Sequence, residues 1–254
     1  MSSASNAAVR AYWNAHVHDF AIATHPPGTP GFFAELEAYH FEKLHHLPRL
    51  VPYDRSAGLR VLDVGCGAGV DLARFAAGGA RAVGVDLARR ALELARANLR
   101  ARTLPARLVE ADGEALPFAD GAFDLVFAHG VVQYTGDDRR LVEECRRVLR
   151  PGGTAIFQVY NRRSWLNALS RIARVRLEHE DAPVLRKYTA RELRRLLAGF
   201  RDVRLVYERF PVRSRLHGGW KGRLFNAVFV GAFRAMPRPL VRRLGWHLLA
   251  FCTR

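Results

Sequence analysis

Residues 61–76 read VLDVGCGAGVDLARFA, and the rest of the chain is best interpreted outward from them. An apolar run of strand type, LRVLDV (59–64), ends in Gly65, Gly67 and Gly69, and a helical pattern over 70–77 follows at once. Glycines at such a junction permit a tight turn and let N–H groups at a helix start approach a ligand. A dinucleotide fingerprint would want a third spaced glycine at position 70, where the sequence has Val70.

A strict alternation continues on the C-terminal side. RAVGVDL (81–87) reads as a strand, LARRALELARANLR (87–100) as a helix and ARLVEAD (106–112) as a strand. FDLVFAHG (123–130) is a further strand, and DDRRLVEECRRVLR (137–150) a helix that Pro151, Gly152 and Gly153 stop before the strand TAIFQVY (154–160). Strands alternating with helices predict a parallel sheet with helices on both faces. Residues 161–187 read as basic and irregular. A helix over 189–200 carries Thr189 and Glu192 at capping-box spacing, and DVRLVYERF (202–210) and GWHLLAFC (245–252) read as final strands. Residues 1–58 form a helical segment broken by HPPGTPG (25–31), with its apolar stripe over 32–47.

Two carboxylates complete the strand-end pattern. Asp86 stands at the tip of the second strand, where a carboxylate can accept ribose hydroxyls, and Asp112 closes the third, placed to meet an adenine amino group. With the glycine loop they converge on the carboxyl edge of the sheet, where α/β proteins bind ligands.

Composition narrows the class. The chain of 254 residues is 49% hydrophobic and carries 40 basic against 24 acidic side chains, a net charge of +16. Residues 161–254 hold 22 basic and 6 acidic side chains, whereas residues 1–130 hold 13 and 14. That asymmetry points to an anionic neighbour of the C-terminal part: a membrane surface, nucleic acid or an acidic substrate. The longest strongly apolar run, 224–233, is too short to cross a bilayer, which needs about 20 residues. No secretory signal is visible in the first residues, and three scattered cysteines (Cys66, Cys145, Cys252) suggest no disulfide framework, so a cytoplasmic location is expected.

Four segments in order, VLDVGCGAGVDLARFA, VGVDLARRALELARAN, EADGEALPFADGAFDLVFAHGVVQY and RRVLRPGGTAIFQV, resemble the class I S-adenosylmethionine-dependent methyltransferases, in particular the small-molecule group often labelled type 11. The resemblance is detailed over about residues 59–160. It implies a Rossmann-like, doubly wound α/β sheet of seven strands, mostly parallel with an antiparallel last strand. One domain would comprise an N-terminal helical segment or lid (1–58), a cofactor-binding core (59–160) and a C-terminal completion of the sheet with basic, substrate-side insertions (161–254).

The resemblance also assigns roles. S-adenosylmethionine would be the cofactor and S-adenosylhomocysteine the product. Asp63 and the loop Gly65, Cys66, Gly67 and Gly69 would meet the methionine end, Asp86 with Leu87 the ribose, and Asp112, Gly113 and Glu114 the adenine. His129 would lie beside the methyl group, either as a base or as a strand-end residue whose carbonyl holds the cofactor. Methyl transfer needs in-line positioning above all, and a base only where the acceptor must lose a proton. Acceptor contacts are expected from Tyr12, Trp13 and His16 on the lid, from Gln133 and Tyr134, and from Tyr160 and Arg162, with packing or solvated loops as the competing account of each.

No two histidines stand at i, i+3 or i, i+4, and the cysteines are scattered, so no metal site is expected. Residues 221–235 carry an apolar stripe (Leu224, Phe225, Val228, Phe229, Ala232, Phe233) flanked by Lys221, Arg223, Arg234, Arg238, Arg242 and Arg243. It reads as a core or lid helix, or as a basic amphipathic element in peripheral contact with an anionic membrane. The expected function is methyl transfer to an apolar or anionic small molecule such as a lipid, quinone or secondary metabolite. The rivals are an RNA methyltransferase using the basic tail and a non-catalytic cofactor-binding protein. Against nucleic acid, His129-Gly130-Val131-Val132 replaces the N/D-P-P-Y/F tetrad of base amino-methylating enzymes, and no RNA-binding motif is appended.

Overall fold

The computed structural model describes residues 2–254 apart from 18, 175, 176, 178, 211–226, 228, 229, 231–234 and 238–240. Most of the amphipathic stretch 221–235 therefore lies outside the described residues. Seven strands form one sheet in the order β3-β2-β1-β4-β5-β7-β6. They are β1 (Arg60–Val64), β2 (Arg81–Asp86), β3 (Ala106–Glu110), β4 (Phe123–His129), β5 (Leu149–Tyr160), β6 (Arg201–Glu208) and β7 (His247–Thr253). The pairings from β3 through β5 are parallel, and β7 runs antiparallel to both β5 and β6. The order reverses at β1, between β2 and β4, which creates the crevice at the carboxyl edge of the sheet.

Among the described residues the helices are α1 (Ser2–Ala15), α2 (Pro30–Lys43), α3 (Leu47–Leu50), α4 (Val70–Ala77), α5 (Arg89–Ala101), α6 (Asp138–Val148), α7 (Trp165–Ala173) and α8 (Ala190–Leu196). The two faces of the sheet can be followed along β4. Val126 and Ala128 pack with α6 and α8, while Leu125 and Phe127 face Leu72 and Phe75 of α4. Side chains alternate with a period of two along a strand, so a strand buried on both faces reads as the continuous apolar run seen in the sequence. Phe127 is fully buried, and its truncation to alanine would cost about 3–5 kcal/mol.

Local chemistry sets the helix ends. Thr29 caps α2 by accepting from the N–H of Phe32, and Asp137 caps α6 through Arg140. Thr189 and Glu192 form the expected capping box. The segment 161–187 is more ordered than its composition suggests. Ser164 accepts from the N–H of Asn167 and starts α7, whose Leu166 packs beside Tyr134, Tyr160 and Trp246. Its arginine-rich flanks hide this short helix in the sequence. β5 also begins earlier than expected, at Leu149, and passes through Gly152 at φ +74 where its register with β4 shifts between Phe123 and Leu125.

Candidate functional site

The carboxyl ends of β1, β2 and β4 open into a cavity roofed by α1 and α2. Gly65, Cys66 and Gly67 form its floor, with Asp86, Leu87, Asp112, Gly113 and His129 around them. Gly65 has φ +69, and a Cβ there would strike the Cγ2 of Val131. Gly67 has φ +54, and a Cβ would meet nothing within 4 Å, so its backbone faces open space. Gly69 stands behind the wall, where it precedes α4 and packs on Ala95.

Asp86 is more engaged than a free ribose acceptor would be. Its Oδ2 accepts from Gly67 N–H at 2.9 Å and its Oδ1 from Ala88 N–H at 2.8 Å. Burial raises its pKa, and these backbone donors oppose the rise. Each oxygen keeps a second lone pair for a ligand. Asp112 receives the side-chain amide of Asn6 at 2.7 Å, a donor of the same kind as an adenine amino group. Asn14 of the same helix accepts from the N–H of Arg90 at 3.1 Å, so α1 is tied at both ends across this crevice. Asp63 lies beneath the wall with Oδ2 buried and unpartnered, and burial raises its pKa strongly. Glu114 also sits behind the wall, where it accepts from the Thr135 hydroxyl and the N–H of Asp137.

The expected acceptor residues separate into two groups. Trp13, His16, Tyr134 and Tyr160 line the cavity. Trp13 meets Tyr134 edge-on at 5.0 Å, and Tyr160 stacks on Trp246 at 4.4 Å. Tyr12 instead donates to Asp181 at 2.9 Å and lies 3.1 Å from His179, which fastens α1 to the segment before α8. Gln133 is buried with neither amide atom partnered. Arg162 faces a separate open groove and pairs with Glu192 at 2.9 Å.

The far end of the cavity gathers residues that lay far apart in sequence: Asp19, His40, Lys43, Asp71, Arg209 and His247. Asp71 is the centre of a polar cluster. Its Oδ1 accepts the hydroxyl of buried Tyr53 at 2.5 Å, and its Oδ2 lies 3.3 Å from His40 Nε2 and 3.5 Å from His129 Nδ1. Burial alone would raise the pKa of Asp71, but the two imidazoles more than reverse this and keep it ionised. His129 and His247 are lowered by burial and stay neutral, and burial takes His46 down to about 3. His129 Nε2 is buried without a partner.

Donor atoms of His40, Asp71 and His129 lie within 4.8 Å of one another, a spacing a small cation can span. A ligating imidazole normally hands its other N–H to an acceptor, however, and His129 Nε2 has none. The cluster is therefore better described as hydrogen-bonding groups gathered around one carboxylate. Spacing along the chain gave no warning of it, since its members come from α2, α4 and β4. The one sequence signal was a carboxylate, Asp71, in the first turn after the glycine loop, a position ordinarily explained by the helix dipole.

Residues 62–157 match the family described as a methyltransferase domain. The ubiquinone biosynthesis O-methyltransferase of Sodalis glossinidius is 36% identical over 141 residues, covering 51% of this chain and 55% of that protein. The malonyl-acyl-carrier-protein O-methyltransferase of Erwinia pyrifoliae is 39% identical over 110 residues, covering 43% and 40%. The chain thus spans about half the length of the curated relatives it matches. Among solved structures, the 4+2 cyclase SpnF superposes with TM-score 0.62 at 20% identity, covering 98% of this chain and 96% of that one, a likeness of fold alone.

Proposed function

The chain carries a methyltransferase domain of the class I S-adenosylmethionine-dependent family, and on that premise we propose that it methylates an oxygen of an apolar or anionic small molecule. The observation that carries this reading is His129, a neutral imidazole on the cavity wall whose buried Nε2 has no partner. A base held there suits an acceptor that must lose a proton, and a positioned base contributes typically about 10²–10⁴-fold.

S-adenosylmethionine supplies an activated sulfonium methyl group. The residues that line the cavity fit it: the open backbone of Gly67 for the methionine end, Asp86 for the ribose and Asp112 for the adenine amino group, with Asp63 buried beneath the wall. With the cofactor bound, its sulfonium would supply the methyl group to the acceptor oxygen, and His129 would take the proton which that oxygen loses. Trp13, Tyr134 and Tyr160 offer aromatic surface to an apolar acceptor. The cationic excess of residues 161–254 supports an anionic group on the acceptor, or an anionic membrane surface that presents it.

Label transfer from methyl-tritiated S-adenosylmethionine into a fractionated cell extract tests the reading. Label in an organic-soluble or polar small-molecule fraction is expected, as an ether or ester. Label in RNA would replace the small-molecule reading, and tight cofactor binding with no label in any fraction would favour a binding protein.

A further inference from the structure

We infer that Asp71 is a positioning residue, which holds the proton of His129 on Nδ1 and so leaves the lone pair on Nε2, an atom buried and unpartnered until an acceptor enters beside it. The inference rests on the reading of His129 as the base. A carboxylate only accepts hydrogen bonds, so the imidazole nitrogen that faces it must carry the proton. That nitrogen is Nδ1, 3.5 Å from Asp71 Oδ2, a separation at the outer limit of a hydrogen bond. Such contacts are often long before substrate is bound.

Both partners are held from outside the pair. Asp71 is the second residue of α4, immediately behind the glycine loop, and only 8% exposed. The Tyr53 hydroxyl donates to Oδ1, and burial beside Asp71 keeps that phenol protonated. The His129 ring stacks on Phe127 at 5.7 Å and 24°, with His40 edge-on at 5.7 Å. Flipping the ring would turn the other nitrogen to Asp71 but would not change the rule: the atom facing the carboxylate keeps the proton.

The surrounding charges give Asp71 a second task. His247 meets the His129 ring at 6.1 Å, and His40, His46 and Lys43 also face this region. A proton arriving on Nε2 makes an imidazolium among cationic and neutral nitrogen groups. Lys43 is already committed to Asp19, at 2.5 Å. Asp71 is the carboxylate in contact with the ring, and it balances that charge.

The test compares Asp71→Asn, Tyr53→Phe and His129→Gln by the rate of label transfer from methyl-tritiated S-adenosylmethionine into an organic-soluble extract, and by nitrogen-15 NMR of histidine-labelled protein. Asp71→Asn is expected to slow transfer by at least about 100-fold at pH 7, with the cofactor dissociation constant within about threefold. The loss should narrow at higher pH as a hydroxyl acceptor ionises unaided. The NMR should show His129 protonated on Nδ1 in the parent protein and on Nε2 in Asp71→Asn. Tyr53→Phe strips a donor from the carboxylate, and the acid limb of the rate profile should move to higher pH.

His129→Gln at the parent rate would sink the base reading itself. His129→Gln inactive beside Asp71→Asn active would overturn only the inference drawn for Asp71. If Asp71→Asn fails to fold or to bind cofactor, Tyr53→Phe decides, and an unmoved profile overturns the inference. Transfer abolished by a chelator and restored by zinc would overturn it too, because the three side chains would then be ligands.

Discussion

Oδ2 of Asp86 accepts the N–H of Gly67 at 2.9 Å, so the tip of β2 holds the turn that joins β1 to α4. One carboxylate thereby shapes the loop and offers its remaining lone pairs to a ligand. Replacing Asp86 with alanine removes charge-assisted hydrogen bonds worth about 1.5–3 kcal/mol, and cofactor affinity should fall about 10- to 100-fold. Titration calorimetry with S-adenosylmethionine reads this directly. An unchanged affinity would dismiss the ribose assignment.

Asn6 and an adenine amino group would compete for Asp112. The hydrogen bond that the Asn6 amide donates to Asp112, 2.7 Å long, would have to yield before the base could be read there. Asn6→Ala should therefore tighten cofactor binding by roughly fivefold, the equivalent of about 1 kcal/mol. Weaker binding instead would mean that α1 closes over the cofactor and holds it.

Gly65 is confined on two counts, a φ of +69 and the Cγ2 of Val131 where a Cβ would stand. Gly65→Ala should destabilise the fold by about 1–3 kcal/mol and lower the melting temperature by several degrees. Adding Val131→Ala should recover only part of the loss, because it relieves the clash and not the backbone strain. Full recovery would show that the positive φ costs nothing.

Asp124 links the start of β1 to β5. It accepts from the Arg60 guanidinium at 3.1 Å and its backbone N–H at 2.8 Å, and from Arg150 at 2.6 Å. The hydrogen bonds from Arg60, aided by Arg150, hold its pKa well below the usual carboxylate range. A carboxyl depressed on folding contributes stability above its unfolded pKa, and this is lost as pH falls through the folded value. Asp124→Asn should therefore melt below the parent at pH 7, by about 1 kcal/mol after solvent screening, and the gap should close in strong acid. Thermal melts across that pH range test the sign, and a constant gap would refute it.

Much of the architecture could be read in the chain because it is local. The apolar run into Gly65, Gly67 and Gly69, the placement of Asp86 and Asp112 at strand tips and the Thr189–Glu192 box each follow from neighbours a few residues away. Helix α7 escapes such a local reading, because one capping serine and a few apolar residues give a weak signal among arginines. Tyr12 and Arg162 are turned from the cavity by hydrogen bonds to Asp181 and Glu192, partners 169 and 30 residues away, which no local pattern reveals.

The sequence by itself determined the alternation of strands and helices over residues 59–160, the glycine turn and the cofactor class its motifs resemble, since these depend on backbone conformation and on spacing within single elements. Only the tertiary structure decided what stands at the far end of the cavity. There α2, α4, β4 and β7 converge, and packing brings His40, Asp71, His129 and His247 into one buried cluster. Burial holds His129 and His247 neutral while the neighbouring imidazoles keep Asp71 ionised, and both effects depend on separations in space rather than along the chain.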